Sequence, residues 1–358
     1  MKLPSRRSAA VGTALAVVVA GGGAAAWATS SESGRPAPAG LSADASAAAS
    51  GPKLVIPTTF ADPGVLKVGR TYYAYSTNTK GRTLPVATAA SMRGPWSIQP
   101  ADALPKLGAW ASGGLTWGPD VARRADGSYV LYYTAHSKAR GTGCVGAAVA
   151  KSPLGPFSPV GTGPLVCDAP KEASWGRLRG EIIGAAAYGE SGRRYLVYKV
   201  GYNGANPWKP SFLLLQKLSA DGLHRVGAPR VILKQTNEPY TTEAPYLVKH
   251  GGSYVLFYSS GLYSRSKYET RYAVSSKLGG PYKKAGTLMT TQSLRGKVNG
   301  PGSASVLRDG NTWWIVFHGA LDYPAHPTWP SKAERPNPLV RGMYVAELGW
   351  SGSRPHLR

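Results

Sequence analysis

A glycine-turned hairpin with an aromatic second strand recurs five times along this chain, and that repeat limits the possible folds more than any other feature. It reads "VLKVGRTYYAYS" (65–76), "VARRADGSYVLYYTA" (121–135), "AYGESGRRYLVYKV" (187–200), "LVKHGGSYVLFYSSG" (247–261) and "VLRDGNTWWIVFHG" (306–319). In each copy an apolar strand leads into a polar turn, and alternating aromatic and aliphatic residues lead out of it, the pattern of a β-hairpin. The turn glycines Gly69, Gly127, Gly192, Gly252 and Gly310 are spaced by 58, 65, 60 and 58 residues. A small-residue strand follows each hairpin, as in "VATAASMRGPWS" (86–97), "YAVSSKLGGPYKK" (272–284) and "RGMYVAELGW" (341–350), and a fourth strand is expected after it. Five four-stranded units with no helical periodicity between them predict an all-β fold, a five-bladed β-propeller. A stacked solenoid is the rival, but its repeats are typically shorter and it needs caps. The hairpin aromatics, among them Tyr72, Tyr132, Tyr254 and Trp313, are expected to fill the interfaces between blades.

The ends and the cysteines set the context. "MKLPSRR" is a positive leader, followed by a small-residue apolar run and the A-x-A site Ala26-Trp27-Ala28. Residues 1–28 therefore read as an export signal, with Arg6-Arg7 hinting at twin-arginine export. An uncleaved membrane anchor is the alternative, since the apolar run approaches spanning length. Residues 29–52 form a Ser/Ala/Pro/Gly linker, and 53–358 the propeller domain. In an exported chain Cys144 and Cys167 are expected to pair as a disulfide. With 42 Lys and Arg against 18 Asp and Glu, the formal net charge is +24. That balance favours anionic material, but the basic residues are scattered through turns without a nucleic-acid-binding motif, so no nucleic-acid partner is expected. A secreted monomer with no membrane span after signal cleavage is the expected form.

In a propeller the innermost strand of every blade starts at the same end of the central channel, so residues at those five starts converge. The starts read "FADPGV" with Asp62, "TWGPDVARR" with Asp120, "RGEIIGAAAY" with Glu181 and Gly184, "TTEAPYLV" with Glu243, and "NGPGSASVL" with Ser303 and Ser305. Asp62 and Asp120 each stand 7 residues before their turn glycine and Glu243 stands 9 before, which suggests equivalent places in three blades. Convergent carboxylates without a His/Cys cluster match glycosidic-bond hydrolysis, in which one carboxylate takes a proton from water and another protonates the leaving oxygen. Asp62, short and followed by proline, suits the base, and Glu243, leading an apolar strand, suits the acid. Asp120 is a candidate for the charge that tunes the acid. Each of these acids has a plain structural alternative as a turn cap.

These residues also carry a resemblance. "ADPGV", "WGPDV", "GRRYLVYK", "EAPYLV", "GPGSASVLRDGNTWWIVFHG" and "RGMYVAELGW", in that order over residues 58 to 350, resemble glycoside hydrolase family 43. The resemblance implies a five-bladed propeller that cleaves α-L-arabinofuranosides or β-D-xylosides with inversion, with Asp62 as base and Glu243 as acid. It implies a pentose-containing poly- or oligosaccharide as the partner. In the family an Ile-Asp-Pro in the third blade supplies an aspartate that tunes the acid; here the matching residues are Ile183-Gly184-Ala185. Glu181 or Asp120 is left to supply that charge, and the alternative reading is a catalytically impaired, carbohydrate-binding propeller. Where relatives place a histidine near a central calcium, this chain has Ser303, so no metal and no cofactor is expected. Trp117, Glu181, Ser303, His318 and Arg341 complete the expected substrate-facing set, although a lone histidine such as His318 is more often a packed, hydrogen-bonded residue.

Overall fold

The computed structural model describes residues 51–168, 181–201, 210–321 and 339–358. The proposed export signal and nearly all of the linker lie outside the described residues. Strand β1 (Lys53–Ile56) is followed by a first blade of β2 (Gly64–Val68), β3 (Thr71–Tyr75), β4 (Val86–Ala89) and β5 (Ser97–Ile98). The second blade is β6 (Ala111–Arg123), β7 (Tyr129–Ser137), β8 (Gly143–Ala150) and β9 (Ser158–Pro159). The third is β10 (Glu181–Glu190), β11 (Arg193–Gly201), β12 (Phe212–Leu218) and β13 (Arg230–Lys234), and the fourth β14 (Thr242–His250), β15 (Ser253–Ser260), β16 (Glu269–Ser275) and β17 (Lys283–Met289). The fifth contains β18 (Asn299–Asp309), β19 (Thr312–Ala320), β20 (Arg341–Ser351) and β21 (Arg354–Leu357). The protein is a five-bladed β-propeller, and no helix occurs among the described residues.

The fifth blade carries one strand more than the repeat predicts. Its outer partner beyond β20 is β1, from the other end of the propeller domain, with Lys53 opposite Val345 and Leu54 opposite Tyr344. The short β21 pairs with the far half of β20, Leu348 opposite Leu357. The ring is therefore closed by main-chain hydrogen bonds between the first and last segments of the domain. Closure leaves no open edge between the two ends of the chain.

Five apolar clusters occupy the five inter-blade interfaces. Tyr75, Leu131, Tyr133 and Phe157 pack between blades one and two; Tyr132, Leu196 and Tyr198 between two and three. Val197, Leu213, Leu256 and Tyr258 fill the next, Val255, Phe257, Ile315 and Phe317 the one after, and Tyr72, Val316 and Met343 join blade five to blade one. The alternating aromatic residues of the hairpins are thus core, as expected. Full burial of a side chain of this size contributes about 1.5–3 kcal/mol. Cys144 and Cys167 are disulfide-bonded and tie β8 to the segment that follows β9.

Candidate active site

Every innermost strand bends where it meets the central channel, and one residue in each bend is left-handed. These residues are Asp62 (φ 52°), Gly118 (51°), Gly184 (64°), Ala244 (48°) and Ser303 (54°). The strand pairing slips at the same places in β6, β10, β14 and β18. Such a bulge re-aims the neighbouring side chains. The backbone therefore has five-fold equivalence at this ring, and it revises the reading by turn spacing: Asp62 corresponds to Gly118, not to Asp120. Glu243 lies one residue before its ring position and Asp120 two residues after.

That offset separates the three acids. Asp62, Glu243, Trp117, His136, Tyr263, Tyr268, Ser303 and Arg341 line a cavity of about 280 Å³ at the mouth of the channel. Asp120 lines only a smaller void of about 40 Å³ deeper in the channel, beside Gly64 and Ser305. Its carboxylate accepts the Ala187 backbone N–H at 2.7 Å, an inter-blade bond. Burial pushes the Asp120 carboxyl up to about 7 despite the backbone N–H bonds from Ala187 and Val121. Asp120 is thus a buried carboxyl at the base of the site rather than a third acid facing the cavity.

Asp62 is held from several sides. Burial acts to raise its carboxyl, but the Arg341 guanidinium and the Thr77 hydroxyl overcome this and hold it well below the usual carboxylate range. Arg341 Nη1 and His318 Nδ1 each lie 3.3 Å from Oδ1, and the Thr77 hydroxyl donates to Oδ2. The Asp62 backbone N–H donates to His318 Nδ1 at 3.1 Å. His318 is fully buried; burial, reinforced by Arg341, lowers its pKa against the opposing pull of Asp62. It serves as a neutral brace, in line with the packed reading of a lone histidine. Arg341 also lies 4.7 Å from the Tyr263 ring centroid, a cation–π contact at the cavity mouth.

Glu243 has a different environment. Its Oε1 accepts the Tyr268 hydroxyl at 3.0 Å, and its Oε2 lies 3.1 Å from the ammonium of Lys199, which is fully buried. Tyr268 in turn stacks on His318, with ring centroids 5.8 Å apart and planes 7° apart. The two carboxylates are therefore linked through Tyr268 and His318. Gly302 makes this possible: a Cβ there would stand 2.1 Å from the Tyr268 ring. Lys199 and Tyr268 were not among the expected residues. A lysine inside the aliphatic run "YLVYKV" is the one local sign of Lys199, because a buried lysine needs a partner.

The remaining candidates divide. Trp117 lines the cavity with its ring 5.0 Å from that of His136, and Ser303 lines both cavity and channel while its N–H donates to Ser259 Oγ at 2.7 Å. Glu181 opens β10 opposite Gly201, and its side chain lies outside the described residues. Gly184 stands in the ring where the family aspartate is expected. A Cβ there would have ordinary contact with Ala244 Cα at 3.6 Å, so space alone does not exclude a side chain. Among the described residues no group of three or more His, Cys, Asp or Glu side chains is placed to hold a metal ion.

Comparison with known proteins agrees with this architecture. The sequence model of Glycosyl hydrolases family 43 matches residues 52–349. The chain is 24% identical over 315 residues to an extracellular exo-α-(1→5)-L-arabinofuranosidase of Cellvibrio japonicus, covering 81% of this chain and 84% of that one. Among solved structures, an α-L-arabinanase of Cellvibrio cellulosa complexed with arabinohexaose has a TM-score of 0.64 at 21% identity, covering 86% of this chain and 96% of that one. An endo-1,4-β-xylanase from Bacteroides thetaiotaomicron has a TM-score of 0.65 at 21% identity, covering 86% and 97%. The likeness to the two solved structures concerns the fold, whereas the family model spans the five blades and both cavity carboxylates. The chain belongs to Glycosyl hydrolases family 43 and is a glycoside hydrolase.

Proposed function

We propose that this protein hydrolyses α-L-arabinofuranosyl or β-D-xylosyl linkages of plant polysaccharide with inversion, using Asp62 as base and Glu243 as acid. The observation that carries this reading is that both carboxylates line one cavity of about 280 Å³ while each has its own set of hydrogen-bonding partners. Asp62 is kept ionised by Arg341 and Thr77, the form that accepts a proton from water. As that water attacks the anomeric carbon, the bond to the leaving oxygen breaks and its electron pair stays with that oxygen, which takes the proton of Glu243. One proton enters Asp62, one leaves Glu243, and the configuration at the anomeric carbon is inverted. An inverting site keeps its carboxyls about 6.5–9.5 Å apart, so that water and sugar fit between them.

The relatives' names, an arabinofuranosidase, an arabinanase and a xylanase, support pentose polymers as substrates, with arabinosyl linkages first. Trp117 and Tyr263 offer aromatic faces to a sugar ring. Secretion is part of the same proposal: the leader, the disulfide and the extracellular relative support it. Sugar release from arabinan and arabinoxylan, compared among wild type, Asp62→Asn and Glu243→Gln, tests the assignment. Each variant is expected to lose at least roughly 10²-fold in kcat, the lower end of general acid–base contributions. Glu243→Gln retaining most of its turnover would remove the acid from the scheme. A wild type that binds the glycans but hydrolyses no pentoside would favour the binding-propeller reading instead.

A further inference from the structure

The left-handed ring has a second layer, formed by the β-strands next to the channel strands. The residues facing the ring there are Thr77, Thr134, Lys199, Ser259 and His318. Strand pairing makes four of them equivalent: Thr134 lies opposite Trp117, Lys199 opposite Ile183, Ser259 opposite Glu243 and His318 opposite Gly302. Thr77 joins them because its N–H donates to Ala61 O, one residue before Asp62.

Four of these side chains do the same job across the blade boundary. Thr77 Oγ1 accepts the Gly118 N–H at 3.3 Å, and Thr134 Oγ1 accepts that of Gly184 at 3.1 Å. Ser259 Oγ accepts the Ser303 N–H at 2.7 Å, and His318 Nδ1 that of Asp62 at 3.1 Å. Each is a neutral acceptor that locks the next blade's left-handed residue. The third blade alone carries a cation. Lys199 has no lone pair to offer as an ammonium. Its Nζ lies instead 3.1 Å from Oε2 of Glu243, the residue before the fourth blade's ring position.

We propose that Lys199 is the positioning residue of Glu243: it aims the carboxyl into the cavity and offsets the negative charge that develops there as the proton passes to the leaving oxygen. This rests on Glu243 being the proton donor. Two fixed contacts, the Tyr268 hydroxyl on Oε1 and the Lys199 ammonium on Oε2, leave the carboxyl little rotational freedom. Among the described residues the other charged or titratable groups around the cavity are Asp62, Arg341, His136, His318, Tyr263 and Tyr268, and Asp62 and Arg341 pair with each other. Among the described residues Lys199 is the cation paired with Glu243. Placing the cation at a locking position couples the aim of the acid to the seam between blades three and four.

The test compares two substrates with the same sugar and different leaving groups. An arabinobioside needs its leaving oxygen protonated, whereas a 2,4-dinitrophenyl arabinofuranoside does not. Lys199→Gln supplies the neutral acceptor found at the other four positions, which favours folding; Lys199→Met is the second variant. For both variants kcat on the arabinobioside is expected to fall roughly 10- to 100-fold, part of the 10²–10⁴ that a general acid contributes. KM should stay within about threefold, and turnover of the dinitrophenyl substrate should be nearly unchanged, the split that separates a transition-state effect from uniform binding. In the Glu243→Gln background neither substitution should slow the arabinobioside further. Equal losses on both substrates, or no loss, beside a Glu243→Gln enzyme that is itself slow on the arabinobioside would overturn the role of Lys199 alone. Full arabinobioside turnover by Glu243→Gln would overturn the donor reading and this proposal with it.

Discussion

Asp62 and Asp120 are two residues apart around the same channel in the ring's numbering, yet their surroundings push them in opposite directions. Asp62 faces Arg341 and is held in the ionised form; Asp120 has only backbone N–H partners, and burial raises it to about 7. A carboxyl raised on folding is favoured in its protonated form. Its stabilising effect is therefore complete below the unfolded value of 3.8 and is lost as pH rises toward 7, by on the order of 4 kcal/mol in total. Asp120→Asn should remove that slope, so the melting temperature of the variant relative to wild type should climb steadily between pH 4 and 8. A difference that stays flat with pH would show that Asp120 is ionised throughout. The sequence presented Asp62 and Asp120 as twins because both stand 7 residues before a turn glycine. Their inequivalence comes from the bulge in β6, which no local residue pattern announces. Lys199 was hidden for another reason: its partner Glu243 belongs to the next blade, 44 residues away, so their pairing exists only after the ring has formed.

The hairpins were legible as elements because alternation of aromatic and aliphatic residues is a local property. Each turn glycine is left-handed, Gly69 at φ 58° and Gly310 at 58°, as a tight hairpin requires. Less legible was the part played by "NGPGS" at the start of β18, whose Gly302 leaves the space that the Tyr268 ring occupies. That contact joins two blades and orients the hydroxyl on Glu243. Gly302→Ala should displace Tyr268, since a Cβ 2.1 Å from a ring carbon cannot be accommodated without movement. The expected cost is about 1–3 kcal/mol from overpacking, together with a kcat loss larger than any change in KM. Thermal melting and steady-state kinetics of the variant check both parts; wild-type kinetics in a destabilised variant would show that Tyr268 does not orient the acid.

Closure of the whole ring brings the site together, and it depends on residues far from it. The first-strand residue Ile56 is 2% exposed and packs in the cluster that joins blade five to blade one. The repeat pattern did not show the fifth blade's extra strand, β1, which pairs with β20 from the opposite end of the domain alongside the expected β21. Ile56→Ala should destabilise the protein by about 2–5 kcal/mol, measured by denaturant unfolding. A loss below 1 kcal/mol would mean that the closing strand contributes little. Closure matters to the chemistry because Asp62 follows that strand and is braced by His318 and Arg341 from the last blade, while Glu243 comes from the fourth. The ring thus holds base and acid on separate blades around one cavity. The anomeric configuration of the first-formed sugar, followed by proton NMR during hydrolysis of an α-L-arabinofuranoside, tests this arrangement most directly. Water activated by Asp62 opposite Glu243 predicts the β-anomer as initial product, whereas initial release of the α-anomer would contradict it.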